Sequence, residues 1–458
     1  MKDIDAILAD PALAHGYWGV VIRSLKSDDT LYSLNARKLM MPASNMKIVT
    51  LAAAAERLGW NYTYDTWVFG TGPIANGVLD GDLLIIGFGD PAIGTIDDVA
   101  DRLFANWAER LKSAGVRTIT GRVIGDDNAF DDAELGFGWS WDDLPDDYAA
   151  GVSALQFNEN MARVTVAPGP AAGASAAVSI APAYTGLTID GAITTVAEGA
   201  AASVSARRLP GRSTLELRGS VALGGAPRVL TVSVDNPTLF FVSTLRAALI
   251  AHGIEVRGPA VDVDELPNPP AHPGTPPLIA YTSPRLSVLA TRLMKNSQNQ
   301  YAETFLKTMG AATGTPTAAA GRAAVQTTLQ AWGVQAADLI QRDGSGLSRY
   351  DYVTPEALAT ILVHVYRDDR LRGPFEATLP IAGRDGSLAN RMKGTPAEGN
   401  ARAKTGSMSN VRGLSGYVTT ADGEPLVFSI IANNFDAPPE TITKTADAIV
   451  VRLAQFRR

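Results

Sequence analysis

Residues 266–277, LPNPPAHPGTPP, hold six prolines in twelve positions. Proline lacks a backbone N–H and has a fixed φ, so this run can neither continue a helix nor sit inside a sheet. It reads as an extended connector between domains. At 458 residues the chain is also too long for one ordinary hydrophobic core, so two or three domains are expected.

The segments before the connector set the architecture. Residues 3–9 read as a short amphipathic helix. The run YWGVVIRSL at 17–25 reads as a strand, and residues 30–34 can pair with it as a hairpin. Residues 44–58, SNMKIVTLAAAAERL, are rich in Ala and Leu with no Gly or Pro, a strong helix signal. Ser44, just after Pro42, suits the N-cap or first turn. From residue 67, short runs such as LLIIG and RVIGD alternate with turns, and a helix is expected over 97–114. Residues 168–235 carry strand-length runs (AAVSIAP, STLELRG, RVLTVSV) between turn signals, and a helix follows Pro237.

Beyond the connector, SVLATRLMKN and QYAETFLKTMG are periodic helical segments. ARAKTGSM, GLSGYVTT and PLVFSIIANN are strand-like, and an amphipathic helix is expected at 439–456. With helices at both chain ends and strands between, the two ends are expected to build one α/β domain with the middle inserted. The expected fold class is multidomain α/β (α+β). No internal repeat is evident.

Composition removes several functions. Hydrophobic residues are 46% and charged residues 19%, which fits a globular protein and excludes wholesale disorder. The net charge of −7 argues against a nucleic-acid partner. With no cysteine, thiol catalysis, disulfides and Cys-based zinc sites are excluded. No apolar run approaches the roughly 18 residues of a transmembrane segment. The N-terminus lacks the charged head and apolar stretch of a signal peptide, so the chain is expected either to be cytosolic or to have lost a leader before Met1.

Three short motifs occur in order: Ser44-Asn45-Met46-Lys47, Ser297-Gln298-Asn299 and Lys404-Thr405-Gly406. Ser-x-x-Lys and Lys-Thr-Gly each occur once. The only other Ser-x-Asn, Ser33-Leu34-Asn35, precedes Ser44 and breaks the order. Each motif is weak alone, and the ordered triple is the signal. Alone, Ser44 would be an ordinary helix cap with Lys47 on a solvated face. Ser297 would likewise cap the next helix, and it can cap as well as catalyse.

The spacing has a chemical logic. A serine hydroxyl is a poor nucleophile until a base takes its proton. Residues i and i+3 share a helix face, so Lys47 Nζ can reach Ser44 Oγ. Desolvation and a second cation, expected to be Lys404, favour the neutral amine. Ser297 can relay the proton to a leaving amine, and Asn299 can orient Lys47 and a substrate amide. Gly406 lets the strand backbone come close. The Ser44 and Ser407 amides would form an oxyanion hole. Lys404 and Thr405 would bind a substrate carboxylate. No metal or cofactor is called for.

Competing chemistries find little support. There is no Gly-x-Ser-x-Gly, no His-Glu-x-x-His and no Walker loop. His15, His252, His272 and His364 are scattered and look partnerless. GFGDPAIG at 87–94 has its third glycine out of place for a phosphate loop and reads as a tight turn.

PASNMK, GFGDPAIG, RVIGDDNAF, GWSWDD, NSQNQYAE, RDGSGLSRYDYVTP, LPIAGRDGSLANR and AKTGSMS run from residue 42 to about 430. Together with the insertion of about 250 residues between the first two motifs, they resemble the class C low-molecular-mass penicillin-binding proteins, the D-alanyl-D-alanine carboxypeptidases and endopeptidases of peptidase family S13. Only Gln298 departs, standing where the family usually has Asp or Asn.

The resemblance implies a serine β-lactamase/penicillin-binding-protein-like transpeptidase domain with two nested, largely β inserted domains. The domains would be 1–66 with 268–458, 67–167 with 255–267, and 168–254. It implies hydrolysis of D-Ala–D-Ala bonds in peptidoglycan stem peptides and acylation of Ser44 by β-lactam antibiotics. It further implies a pocket for a diaminopimelate side chain. There Asp143 or Asp142, after Trp139, would meet the ammonium, Arg349 the carboxylate, and Tyr148 and Met408 would line the walls. A clustered acidic loop on a solvated face is the plainer alternative for those aspartates. The substrate in turn implies a periplasmic or other extracytoplasmic location. A β-lactamase or esterase on the same scaffold, and a non-catalytic peptidoglycan-binding protein, are the rival functions.

Overall fold

The computed structural model describes residues 2–94 and 99–458. The chain divides into two compact units. The first comprises residues 1–62, 136–138 and 285–458, and the second 63–135 and 139–284.

The first unit opens with helix α1 (Lys2–Leu8), strands β1 (Tyr17–Ser24) and β2 (Thr30–Leu34), and helix α2 (Met46–Leu58). After residue 284 it continues with α3 (Leu286–Lys295), α4 (Asn299–Ala311), α5 (Ala318–Ala331), α6 (Pro355–Arg367) and α7 (Asp369–Thr378). It closes with β3 (Arg402–Met408), β4 (Val411–Thr419), β5 (Pro425–Asn433) and α8 (Pro439–Ala454). The expected β1–β2 hairpin forms, with Val20 opposite Leu34. The sheet is antiparallel throughout in the order β2-β1-β5-β4-β3, so the two chain ends share one sheet and β3 is an edge.

Strand side chains alternate between faces. Val20 and Ile22 of β1, Ala403 of β3, Leu414 and Val418 of β4, and Phe428 and Ile430 of β5 pack in one core with Ile4 of α1 and Ile442, Ile449 and Leu453 of α8. The alternate residues of β3, Lys404 and Gly406, therefore face the other way, toward α2. That helix is buried from Met46 through Ala55, which explains its run of small side chains: α4, α5 and α6 all pack on it.

The second unit is layered around a mixed five-stranded sheet ordered Ala260–Asp262, Val123–Asp126, Leu83–Gly87, Asp65–Gly70, Ile279–Thr282. Helices Val99–Ser113 and Pro237–Ala251 supply Phe104, Trp107, Phe240 and Phe241 to its core. Residues 97 and 98 of the expected helix lie outside the described residues. The β-rich stretch contributes a three-stranded antiparallel sheet (Ala177–Ala181, Met161–Ala167, Arg228–Ser233) and a four-stranded one built on Thr214–Ala222. Residues 87–94 end in the expected turn.

The proline-rich run is not the seam between the units. Ile279–Thr282 pairs antiparallel with Asp65–Gly70, which holds the chain within the second unit until residue 284. His272 in that run binds Asp126 (2.8 Å). His15 and His364 are not partnerless either: His15 binds Asp436 (2.8 Å), and His364 stacks on Trp332 with centroids 4.1 Å apart. Among the described residues no helix is long and apolar enough to cross a membrane.

Candidate active site

The first unit brings together the hydroxyl and amine groups that the sequence singles out. Ser44 does not cap α2. It sits in a single 3₁₀ turn, Ala43–Asn45, and Asn45 precedes the helix without a side-chain cap. Ala43 has φ of 45°, a left-handed conformation rare for a residue with a Cβ. The chain thus arrives at α2 through a sharp bend that leaves Ser44 half-exposed while its neighbours are buried. Its hydroxyl accepts a hydrogen bond from Lys47 Nζ (2.9 Å).

Lys47 is fully buried. Its ammonium also donates to Asn299 Oδ1 (2.5 Å) and to the Ser345 carbonyl (2.9 Å). Burial pulls its pKa down to about 7, against the pull of the Asp343, Glu303 and Asp351 carboxylates, which favour the charged form. Burial, one of the two expected causes, is the main one, and the expected field of Lys404 is not among them. The influence of the second cation runs the other way: Lys404 is held well below the ordinary lysine range by burial and then by Lys47.

Lys404 Nζ donates to Ser297 Oγ (2.9 Å) and to the Thr405 carbonyl (2.9 Å). Ser297 has φ of 61° and is not a cap; α4 begins at Asn299, after Gln298. Asn45 Nδ2 reaches the Lys404 carbonyl at 3.4 Å, tying β3 to the turn that carries Ser44. Thr405 Oγ1 donates to Ser387 Oγ (2.7 Å), a partner that sequence reasoning did not single out.

Gly406 serves a close approach, though to protein rather than only to substrate. A Cβ there would lie 2.6 Å from the Pro42 carbonyl oxygen and 2.8 Å from Asn45 Nδ2. Gly406→Ala is therefore expected to push β3 off the start of α2, cost about 1–3 kcal/mol and lower Tm by a few degrees in a thermal melt. An unchanged Tm would mean that this contact is slack.

The outer rim of β3 is partnered near its start. Ala403 N–H donates to the Pro380 carbonyl (3.0 Å) on that rim. Backbone groups alternate along a strand, so the Thr405 and Ser407 amides face the same side. Ser407 is exposed and Met408 half-exposed at the strand end. Arg349, also exposed, donates to the Ser409 carbonyl (3.4 Å).

Trp139, Asp142, Asp143 and Tyr148 belong to the second unit. The Tyr148 hydroxyl is shared between Asp143 Oδ1 (2.9 Å) and Asp146 Oδ2 (2.8 Å), and burial together with these carboxylates drives its pKa upward. Asp142 is exposed and Asp143 half-buried. Among the described residues, Asp127, Asp262 and Asp264 of this unit form the one group whose carboxylate oxygens lie within 4.8 Å of one another, as a cation would require.

Three buried acids escaped the sequence reading. Glu303 accepts from the amides of Gly344 and Ser345 (both 2.8 Å), and Asp343 from Gly346 and Ser348 (both 2.6 Å). Asp351 accepts from Arg342 N–H (2.5 Å). Burial, then Asp343, raises the pKa of Asp351 well above the ordinary carboxylate value. Burial first and Asp343 second raise the pKa of Glu303, against the Gly344 and Ser345 amides, which favour its ionised form.

A model of the family described as D-Ala-D-Ala carboxypeptidase 3 (S13) matches residues 1–456. The chain is 36% identical to a D-alanyl-D-alanine carboxypeptidase of Actinomadura sp. over 99% of its length and 84% of that protein. It is 27% identical to the D-alanyl-D-alanine carboxypeptidase DacB of Haemophilus influenzae over 96% of its length and 89% of that protein. The crystal structure of penicillin binding protein 4 (dacB) from Haemophilus influenzae superposes with a TM-score of 0.86 at 24% identity, covering 99% of both chains.

Proposed function

Since the chain belongs to the D-Ala-D-Ala carboxypeptidase 3 (S13) family and is a serine-type D-alanyl-D-alanine carboxypeptidase, we propose that it cleaves its substrate through an acyl-enzyme on Ser44. The observation that carries this reading is one buried amine, Lys47, at 2.9 Å from Ser44 Oγ with its pKa brought down to about 7. At neutral pH a large fraction of that amine is unprotonated and can accept the serine proton.

In the proposed reaction Lys47 takes the proton as Ser44 Oγ bonds to the carbonyl carbon of the penultimate D-Ala. The resulting oxyanion accepts from the Ser44 and Ser407 amides. Collapse breaks the C–N bond, and the leaving amine receives a proton by way of Ser297, which Lys404 holds at 2.9 Å. Asn299 fixes Lys47, and Lys404 and Thr405 meet the terminal carboxylate. Water then attacks the ester, gives a proton back through Lys47, and frees Ser44.

The substrate would be a peptidoglycan stem peptide of the diaminopimelate type, and β-lactams would acylate the same hydroxyl. Asp143, or its neighbour Asp142, with Trp139 and Tyr148, is proposed for the side-chain ammonium. Arg349, beside Met408, is proposed for its carboxylate. The work would be extracytoplasmic, where that polymer lies. The division into a catalytic part and two nested insertions belongs to the same reading.

Benzylpenicillin should add one mass equivalent to the intact protein, on the peptide that contains Ser44, and a D-Ala–D-Ala peptide should release D-alanine. An adduct elsewhere refutes the assignment. Sustained nitrocefin turnover would favour a β-lactamase on the same scaffold, and no acylation at all a binding protein.

A further inference from the structure

We propose that Glu303 is a positioning residue for acylation: by gripping the Gly344–Ser345 peptide it aims the Ser345 carbonyl at Lys47 and so holds the amine against Ser44. The inference rests on the assignment of Ser44 and Lys47 given above.

The geometry runs through three elements of the first unit. Asn299 and Glu303 are one turn apart on α4 and share a face. Asn299 Oδ1 bonds Lys47 Nζ directly (2.5 Å), while Glu303 takes both amides, Gly344 N–H on one oxygen and Ser345 N–H on the other. From α2, one turn beyond Lys47, Thr50 Oγ1 donates to the Gly344 carbonyl (2.7 Å). The Ser345 carbonyl is left aimed at Lys47 Nζ (2.9 Å). There is little slack around this peptide. A Cβ on Gly344 would lie 2.5 Å from the Ala302 carbonyl oxygen. Gly346 has φ of 84°, and a Cβ there would overlap the carbonyl oxygen of Ala43, the residue before the nucleophile. The charged groups acting on Lys47 are Asp343 and Asp351 from this loop and Glu303 from α4, while Lys404 from β3 is itself lowered by Lys47.

Glutamine has the length of glutamate but offers one acceptor and one NH₂ donor. In Glu303→Gln the NH₂ must face an amide N–H, so one of the two grips is lost. The benzylpenicillin acylation constant is expected to fall roughly 10- to 100-fold. The acid limb of its pH profile should also move to lower pH, because a carboxylate that favours protonated Lys47 is gone. Glu303→Asp keeps the charge but is one methylene short. Its rate should fall at least about fivefold with the limb in place.

Wild-type rates in both variants overturn the proposal. So does a slower Glu303→Gln whose limb stays put, which marks a merely structural role. Should Glu303→Gln fail to fold, Glu303→Asp decides: a rate within about twofold of wild type sinks the idea. Locating the adduct by mass spectrometry separates the two levels. An adduct away from Ser44 removes the functional reading, whereas Ser44 labelling with indifferent Glu303 variants removes this inference alone.

Discussion

Ser44→Ala abolishes covalent labelling by fluorescent penicillin and cuts D-alanine release by a factor on the order of 10³ or more, while the far-UV circular dichroism spectrum stays that of wild type. The expected loss is near total because no other group on the α2 turn can take over. Ser44 is half-exposed and its Oγ lies beside a buried amine, whereas the neighbouring side chains Ala43, Asn45 and Met46 are buried and offer no nucleophile. The fold should tolerate the change. Ser44 is not the cap of α2, so the helix loses no terminal hydrogen bond, and Lys47 keeps Asn299 Oδ1 and the Ser345 carbonyl as acceptors. Labelling of the variant at full stoichiometry would end the case for this hydroxyl.

Lys47→Ala slows acylation by about 10²–10⁴, the usual worth of a positioned general base. It should also cost stability, since Glu303, Asp343 and Asp351 lose a buried cation whose charged form they favour and a long buried side chain is removed. Melting temperature and rate must therefore be measured together, and the rate compared below the melting range. The wild-type pH profile gives a second check. Lys47 is a base only when unprotonated, and burial places its pKa at about 7. The acylation rate should thus rise as pH increases through about 7 and decline on the acid side. In Lys47→Ala that limb should vanish. A variant that acylates at a near wild-type rate, or a wild-type profile flat from pH 5 to 9, would strip Lys47 of the role.

Much of this site was legible in the residues. Ser-x-x-Lys and Lys-Thr-Gly carry information because both depend on local geometry: one helical turn for the first, strand alternation for the second. Alternation also made the β1–β2 hairpin and the three C-terminal strands visible. What the chain hid was burial. Glu303 lies in NQYAE and Asp343 and Asp351 in RDGSGLSRYD, and nothing in either stretch marks its acids as buried. Only the tertiary packing of α4 and the 342–351 loop against α2 takes them out of water and turns them toward a lysine. Desolvation was named among the causes of Lys47's low pKa, but that it alone carries the shift, without the field of Lys404, follows from tertiary packing that a linear string does not show. The proline run misled in another way. Proline forbids regular structure inside 266–277, but it says nothing about which body the stretch lies on, and the pairing of Ile279–Thr282 with Asp65–Gly70 decided that.

The strand order has a consequence for biosynthesis. β1 leaves the ribosome long before its central neighbour β5, to which it pairs from Tyr17–Asn433 to Ser24–Leu426. Until β5 emerges, an apolar strand has one hydrogen-bonding side unmatched, an invitation to intermolecular association. Any premature stop before Pro425 leaves the polypeptide permanently in that state. Chaperone demand and sensitivity to C-terminal truncation should therefore be written into this topology, independently of its chemistry.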